Sequence, residues 1–259
     1  MNDEVEMTLT EHVEEIRRRL IISVAAILIT TTAVFFVSDF LLQILLAPSG
    51  GLQLKAFSLT DGFMIKARIA LMGGVVLAFP VWAFHIIRFV SPGLMDNEKQ
   101  VIFPALAFSL VLFILGVLFG YMMLSAMIKA LLQFFPAGVE LLPAADAYIS
   151  FILFFLLAAG TAFQLPTILL VLIQLRILNT PMLRKQRRVA YFALFAFSEI
   201  ITPVSDPIVA PLIVMGPLVV LFELSIFLGK RIEARRAKRE AEEAANLPAT
   251  TNAIMPGGN

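Results

Sequence analysis

Residues 101–132 read VIFPALAFSLVLFILGVLFGYMMLSAMIKALL, and the first charge in the run is Lys129, near its end. At about 1.5 Å per residue, a helix of this length exceeds the roughly 30 Å hydrocarbon core of a bilayer. Working outward, five more apolar blocks occupy residues 20–46, 63–90, 148–175, 189–202 and 208–228. In hydrocarbon a single spanning segment must bond its own backbone N–H and C=O groups, so apolar runs of this length are helices. The sequence therefore predicts an all-α, polytopic membrane protein with six transmembrane helices. Composition agrees: the chain is 59% hydrophobic and 15% charged, with a mean hydropathy of +0.91.

An even number of spans puts both termini on one side. Of the 20 Lys and Arg residues, all but Lys55, Lys66, Arg68 and Lys129 fall on that side. The positive-inside rule then makes both termini cytoplasmic, with a prokaryotic plasma (inner) membrane as the simplest location. No small-residue cleavage site follows the first apolar block, so the block is expected to be retained. Before it, Leu9, Val13, Ile16 and Leu20 share one helical face, the pattern of an interfacial helix. The loops at 47–62 and 133–147 contain Pro48, Pro136 and Pro143 and are expected to form short interfacial helices. Residues 1–228 thus form one membrane domain. Residues 229–259 form a cytoplasmic tail, charged at first and disordered towards its end.

Block 189–202 is short, covering about 21 Å, and is expected to sit in locally thinned lipid. There is no cysteine, and the two histidines are His12 and His85. No Gly-rich phosphate loop is present. No catalytic residues, metal site, cofactor or nucleic-acid partner is expected. A small-solute or ion transporter is the alternative, because ionisable residues inside spans mark function. Its candidates are Glu199, Glu223, His85, Lys66, Arg68 and Lys129. Gln164 lies beside Pro166, where it either satisfies a helix kink or faces a polar pocket. Gly116 and Gly120 permit close helix packing.

Between the second and third blocks, Phe89-Val90-Ser91-Pro92-Gly93-Leu94-Met95-Asp96-Asn97-Glu98 forms an acidic hairpin on the basic side. Asp96 and Glu98 either cap the following helix or line a recess for a cation. Glu15 is spaced to pair with Arg19 at i, i+4.

Four motifs in order carry a resemblance. They are His12-Val13-Glu14-Glu15-Ile16-Arg17-Arg18-Arg19-Leu20; Phe89-Val90-Ser91-Pro92-Gly93-Leu94 with Glu98; Phe163-Gln164-Leu165-Pro166; and Thr202-Pro203-Val204-Ser205-Asp206-Pro207 followed by Phe222-Glu223. From about Thr10 to Leu228 the chain resembles the TatC family, the multispanning subunit of the twin-arginine protein translocase. The resemblance implies a cup-shaped receptor for signal peptides bearing two adjacent arginines, the core of a complex that exports folded proteins using the proton motive force. Glu15 and Glu98 match the acids that bind the arginine pair, and Phe89 lies beside them. Arg17 and Arg19 match basic positions, positioning Glu15 and anchoring at headgroups. Gln164 and Glu223 are the intramembrane polar positions; Pro48, Pro92, Thr202, Pro203 and Asp206 are structural ones. Gln164 stands where many relatives have glutamate, which favours a polar-contact role over a titrating one. The implied partners are TatA- and TatB-like single-span subunits in a multimeric membrane complex, docking at the last two spans.

Overall fold

The computed structural model describes residues 9–90, 102–133, 136, 142–201 and 209–246. The first block divides into α1 (Leu9–Phe36) and α2 (Ser38–Leu46). The sequence predicts one helix across residues 20–46, but the chain turns at Val37. Ser38 Oγ donates back to Phe35 O at 2.8 Å, and Val37 N donates to Val34 O at 3.0 Å. A serine bonding its own backbone competes with the helical ladder, and neither glycine nor proline marks the place. Upstream, α1 runs without a break from the amphipathic segment into the apolar run, and Val13, Ile16 and Leu20 on its apolar face are exposed.

The second block is α3 (Asp61–Leu77) and α4 (Phe79–Val90), bent by 48°. Pro80 has no N–H to continue the ladder across the bend, and the Trp82 indole donates to the Val75 carbonyl at 3.1 Å. The third is α5 (Ile102–Leu132), within one residue of the sequence expectation. The fourth is α6 (Ala145–Ala162) and α7 (Leu165–Gln174), interrupted at Pro166. A short α8 (Thr180–Lys185) leads to α9 (Arg187–Ile201) and then α10 (Val209–Asn246).

Among the described residues Val13–Phe36, Phe103–Leu132, Ala145–Gln174 and Pro211–Glu242 are each long and apolar enough to cross a membrane, and the bent α3–α4 pair makes a fifth when counted as one span. This is a multi-pass membrane protein. α9, at 15 residues, covers about 22 Å and stays as short as its sequence predicts. Beyond the apolar block ending at Leu228 the charged strip is helix-prone by sequence, and α10 continues through it for 38 residues in all. The end of the tail, 247–259, lies outside the described residues.

The first outer loop differs from the expected interfacial helix, and part of the second, 134–135 and 137–141, lies outside the described residues. After α2 comes a single 3-10 turn, Ala47–Ser49, and then extended chain in which Lys55 pairs with Ala144 as an isolated parallel bridge. Lys55 N donates to Pro143 O (3.0 Å) and Ala145 N to Lys55 O (2.9 Å), tying the two loops together. Pro48 is buried and has no N–H to extend the helix, and Ile44 O accepts from Ala47 N and from Tyr121 Oη, the latter at 2.9 Å.

Small residues set the helix contacts. A Cβ on Gly116 would lie 2.7 Å from Ala159 O and 2.9 Å from Gly160 Cα, so the paired glycines of α5 serve its packing on α6. One apolar core joins α2, α3, α5 and α6 around Ile69, Leu124, Ile149 and Ile152. A second joins α5 and α7 through α10 around Ile173, Leu218 and Ile226. α4 is stacked on α5 by Phe79 and Phe113, whose ring centroids are 3.8 Å apart. That stack fixes the second half of the bent pair, which lies beside the N-terminal half of α1.

Candidate functional site

α1 and α4 meet along a cleft of about 300 Å³ lined by Glu15, Arg18, Arg19, Ile22, Phe84, His85 and Arg88. On α1 the lining positions fall on consecutive turns: Glu15 and Arg19 are four apart, as are Arg18 and Ile22. On α4 the same spacing stacks Arg88 over the Phe84 ring at 5.8 Å, with His85 between them. Ile22 and Phe84 supply apolar surface and the other five residues supply the polar groups.

Glu15 is the acid among the described residues lining this cleft. The Arg19 pair predicted from spacing is formed. Arg19 Nε donates to Glu15 Oε1 at 3.0 Å, and Arg19 Nη2 donates to the same oxygen. The other carboxylate oxygen, Oε2, is buried and has no partner, and so is His85 Nδ1. Both side chains of the pair are mostly covered, at 17% and 20% exposure for Arg19 and Glu15. In such a setting a charge-assisted pair is worth more than the few tenths of a kcal/mol typical of an exposed i, i+4 pair.

The charge balance constrains what can bind. The described acid of this cleft, Glu15, is already paired with Arg19. A second carboxylate for a cationic ligand is the place Glu98 takes in the sequence reading. Glu98 and Pro92 lie outside the described residues, as do Thr202, Pro203 and Asp206. Phe89 is half-buried in the last turn of α4, next to Arg88. Arg17 is exposed on the turn that carries Glu15. Arg18, Ile22, Phe84 and Arg88 are not among the sequence candidates, and His85 is one only for the transporter alternative. The signal available was the shared face of Phe84 and Arg88, but which helix it would meet depends on the α3–α4 bend.

The intramembrane polar residues are satisfied elsewhere. Gln164 is buried and exchanges two hydrogen bonds with Ser109 of α5: Ser109 Oγ donates to Gln164 Oε1 at 2.7 Å, and Gln164 Nε2 donates to Ser109 O at 3.0 Å. Neither the kink carbonyl nor an open pocket uses the amide. Glu223 of α10 accepts from Arg187 Nη2 at 2.5 Å and from Tyr191 Oη at 2.7 Å, both on α9. Gln164 and Glu223 share no hydrogen-bond partner. Among the described residues no three His, Cys, Asp or Glu side chains converge as a metal would require.

The family model described as Sec-independent protein translocase protein (TatC) matches residues 11–217. The TatC protein of Carboxydothermus hydrogenoformans is 34% identical over 237 residues, 90% of this chain and 97% of that one. The TatC protein of Aquifex aeolicus is 36% identical over 246 residues, 92% of this chain and all of that one. Among solved structures, a crystal structure of the twin arginine translocase receptor TatC aligns with a TM-score of 0.71 at 36% identity, covering 85% of this chain and 98% of that one. A second, in DDM, aligns at 0.74 with 34% identity and covers 85% and 99%. By the family match over most of its length and by full-length relatives of the same family, the chain belongs to the TatC family of Sec-independent protein translocase proteins.

Proposed function

We propose that this chain is the signal-peptide receptor and core subunit of a twin-arginine translocase, passing folded proteins across a prokaryotic inner membrane. The observation that carries the reading is the placement of Glu15: a mostly covered carboxylate on α1, facing the last turns of α4 across a shared cleft. Receptor function in the solved relative supports it. In this reading Glu15 and Glu98 each take one guanidinium of the arginine pair, and Phe89 packs beside the peptide backbone. A carboxylate matches the planar fork of arginine better than the point charge of lysine, which is how two placed acids distinguish the two residues. Arg17, exposed on α1, contacts lipid headgroups.

Six spans follow when α9 is counted as a short crossing, and both termini are then cytoplasmic. TatA- and TatB-like single-span subunits dock against α9 and the membrane part of α10, and the proton motive force drives transport. The chain catalyses no chemical reaction of its own.

The test is site-specific photocrosslinking from position 89 or 15 to a signal peptide in membranes. Arg-Arg peptides should crosslink and Lys-Lys peptides should crosslink far less, and Glu98→Lys should abolish the Arg-Arg adduct. Equal crosslinking of the two peptides, or an adduct indifferent to Glu98→Lys, would overturn the proposal.

A further inference from the structure

His85 brings a second kind of polar group to the cleft, from the α4 wall that faces Glu15 on α1. Its Nδ1 is closed off from solvent and has no hydrogen-bond partner among the described residues. A neutral imidazole carries one proton, on Nδ1 or on Nε2. Placed on Nδ1, that proton would make a buried donor facing no acceptor, and a buried N–H without a partner is rarer in folded proteins than an unused acceptor. The proton therefore belongs on Nε2, the outer ring nitrogen and the one that a molecule in the cleft can reach.

We propose that His85 binds the backbone of the signal peptide: its Nε2–H donates to a peptide carbonyl beside the arginine that Glu15 takes. The inference rests on the receptor reading and deepens it, giving the same cleft a contact that reads no side chain.

The chemistry of the ligand selects the carbonyl. Guanidinium and ammonium groups carry donors and no acceptor, so neither an arginine nor a lysine side chain can use an N–H from the protein. Backbone carbonyls are the acceptors that every peptide brings with it. The cleft holds about 300 Å³, about ten times the share of one water molecule in the liquid, so it admits more of the ligand than a single guanidinium. Of the polar side chains that line it, His85 is the one that is neither acid nor arginine. An uncharged donor suits an uncharged carbonyl and does not repel the cation arriving beside it.

The fold holds this donor still. The His85 ring meets the Phe84 ring edge-on at 5.6 Å, and Phe84 in turn carries Arg88 at 5.8 Å. The Phe79–Phe113 stack fixes α4 on α5, while Arg19 holds Glu15 from within α1. Acid and donor thus stand on two separately fixed helices, and a peptide that reaches both is set in register as well as in charge. Contacts ordered in advance lose less entropy on binding.

Binding of fluorescent Arg-Arg and Lys-Lys signal peptides to the full chain in lipid nanodiscs tests the proposal, with His85→Leu, His85→Gln, His85→Asn and Glu15→Gln as variants. His85→Leu should weaken both peptides by the same factor, about threefold to tenfold, because a backbone contact does not distinguish them. His85→Gln sets an amide N–H where Nε2 stood and should restore most of the binding; His85→Asn sets it where Nδ1 stood and should not. Peptides in which one amide near the arginine pair is replaced by an ester, whose carbonyl is a weaker acceptor, complete the cycle. At one position the ester should weaken binding to the parent chain and leave binding to His85→Leu unchanged. Additive losses at every ester position, or a glutamine variant no better than the leucine one, would overturn the proposal. So would imidazole nitrogen-15 shifts that place the His85 proton on Nδ1. Glu15→Gln separates the two levels: Arg-Arg binding indifferent to it sinks the receptor reading, whereas binding that needs Glu15 and ignores His85→Leu sinks the backbone contact alone.

Discussion

Gln164 and Ser109 close a two-bond exchange between the α6–α7 break and the first half of α5, the Ser109 hydroxyl donating to the amide oxygen and the amide nitrogen donating to the Ser109 backbone carbonyl. Both residues are buried, Ser109 at 3% and Gln164 at 8% exposure, so the pair fixes the angle of the broken span against its neighbour. In a membrane protein such bonds average about 0.6 kcal/mol and reach about 2 kcal/mol, because the unfolded state in lipid also finds partners. Gln164→Leu should therefore destabilise the chain by about 1 kcal/mol in a detergent unfolding titration. Ser109→Ala with Gln164→Leu should cost less than the sum of the two single changes, since no orphaned group is left behind. Strict additivity would mean that the two side chains do not act as a pair.

Gly74 makes a tighter demand. Thr30 Oγ1 donates to Gly74 O at 2.8 Å, and a Cβ built on Gly74 would lie 2.7 Å from both the N and the Cα of Thr31. Those are backbone atoms, which cannot step aside as a side-chain tip can. Gly74→Ala should force α1 away from α3 and destabilise by about 1–3 kcal/mol. Gly62→Ala, where nothing lies within 4 Å, is the matched control and should change stability by less than about 0.5 kcal/mol. Equal unfolding midpoints for the two variants would contradict the close α1–α3 contact.

Such contacts explain what could be read from the chain and what could not. The apolar run behind α5 announced its helix to within a residue, because a span is encoded by local composition. Pro166 marked the α6–α7 break for the same reason: a missing N–H is a property of one residue. Val37 carries no such mark, and the turn there depends on Ser38 bonding back to Phe35. The Glu15–Arg19 pair was legible from i, i+4 spacing within one helix. Its neighbours His85 and Arg88 were not, because their approach to α1 depends on the 48° bend and on the Phe79–Phe113 stack. Glu223 was legible as an intramembrane charge, yet its partners, Arg187 and Tyr191, required knowing how α9 lies on α10.

The extension of α10 beyond the apolar block acts as a clamp. Glu233 accepts from Thr180 N at 2.9 Å and from Thr180 Oγ1 at 2.5 Å, and so caps the start of α8 from outside it. Three residues further along α10, Arg236 Nη2 donates to Gln174 O at 2.9 Å, the last residue of α7. A carboxylate at a helix start and a guanidinium at a helix end each complement the free backbone groups there. Gly229 permits the approach, since a Cβ there would meet Ile173 Cδ1 at 2.6 Å and Thr180 Cγ2 at 2.9 Å. Glu233→Ala should raise amide hydrogen exchange across residues 176–186 while leaving α5 and α6 protected. Unchanged exchange in that segment would show that Asn179, which caps α8 through Met182 N, suffices alone.

Arg176 sets two effects of opposite sign against each other. It sits at φ 60°, the left-handed conformation that ends α7, with Ile177 N donating to Leu172 O at 3.0 Å. Glycine is the usual residue at such a helix end, because a Cβ in this conformation costs about 1–2 kcal/mol. Arginine bears that cost here and recovers part of it through its pair with Glu240 at 2.7 Å. The pair is half exposed, 54% on each side, so screening limits it to at most about 1 kcal/mol. The backbone effect is the larger. Arg176→Gly should leave stability unchanged or raise it by up to about 1 kcal/mol, and should flatten its dependence on salt because the screened pair is gone. Arg176→Ala keeps the Cβ and loses the pair, so it should be less stable than either the parent chain or Arg176→Gly. Unfolding midpoints at low and high salt for the three chains decide the matter: a glycine variant less stable than the alanine variant would show that the left-handed turn is not what strains this position.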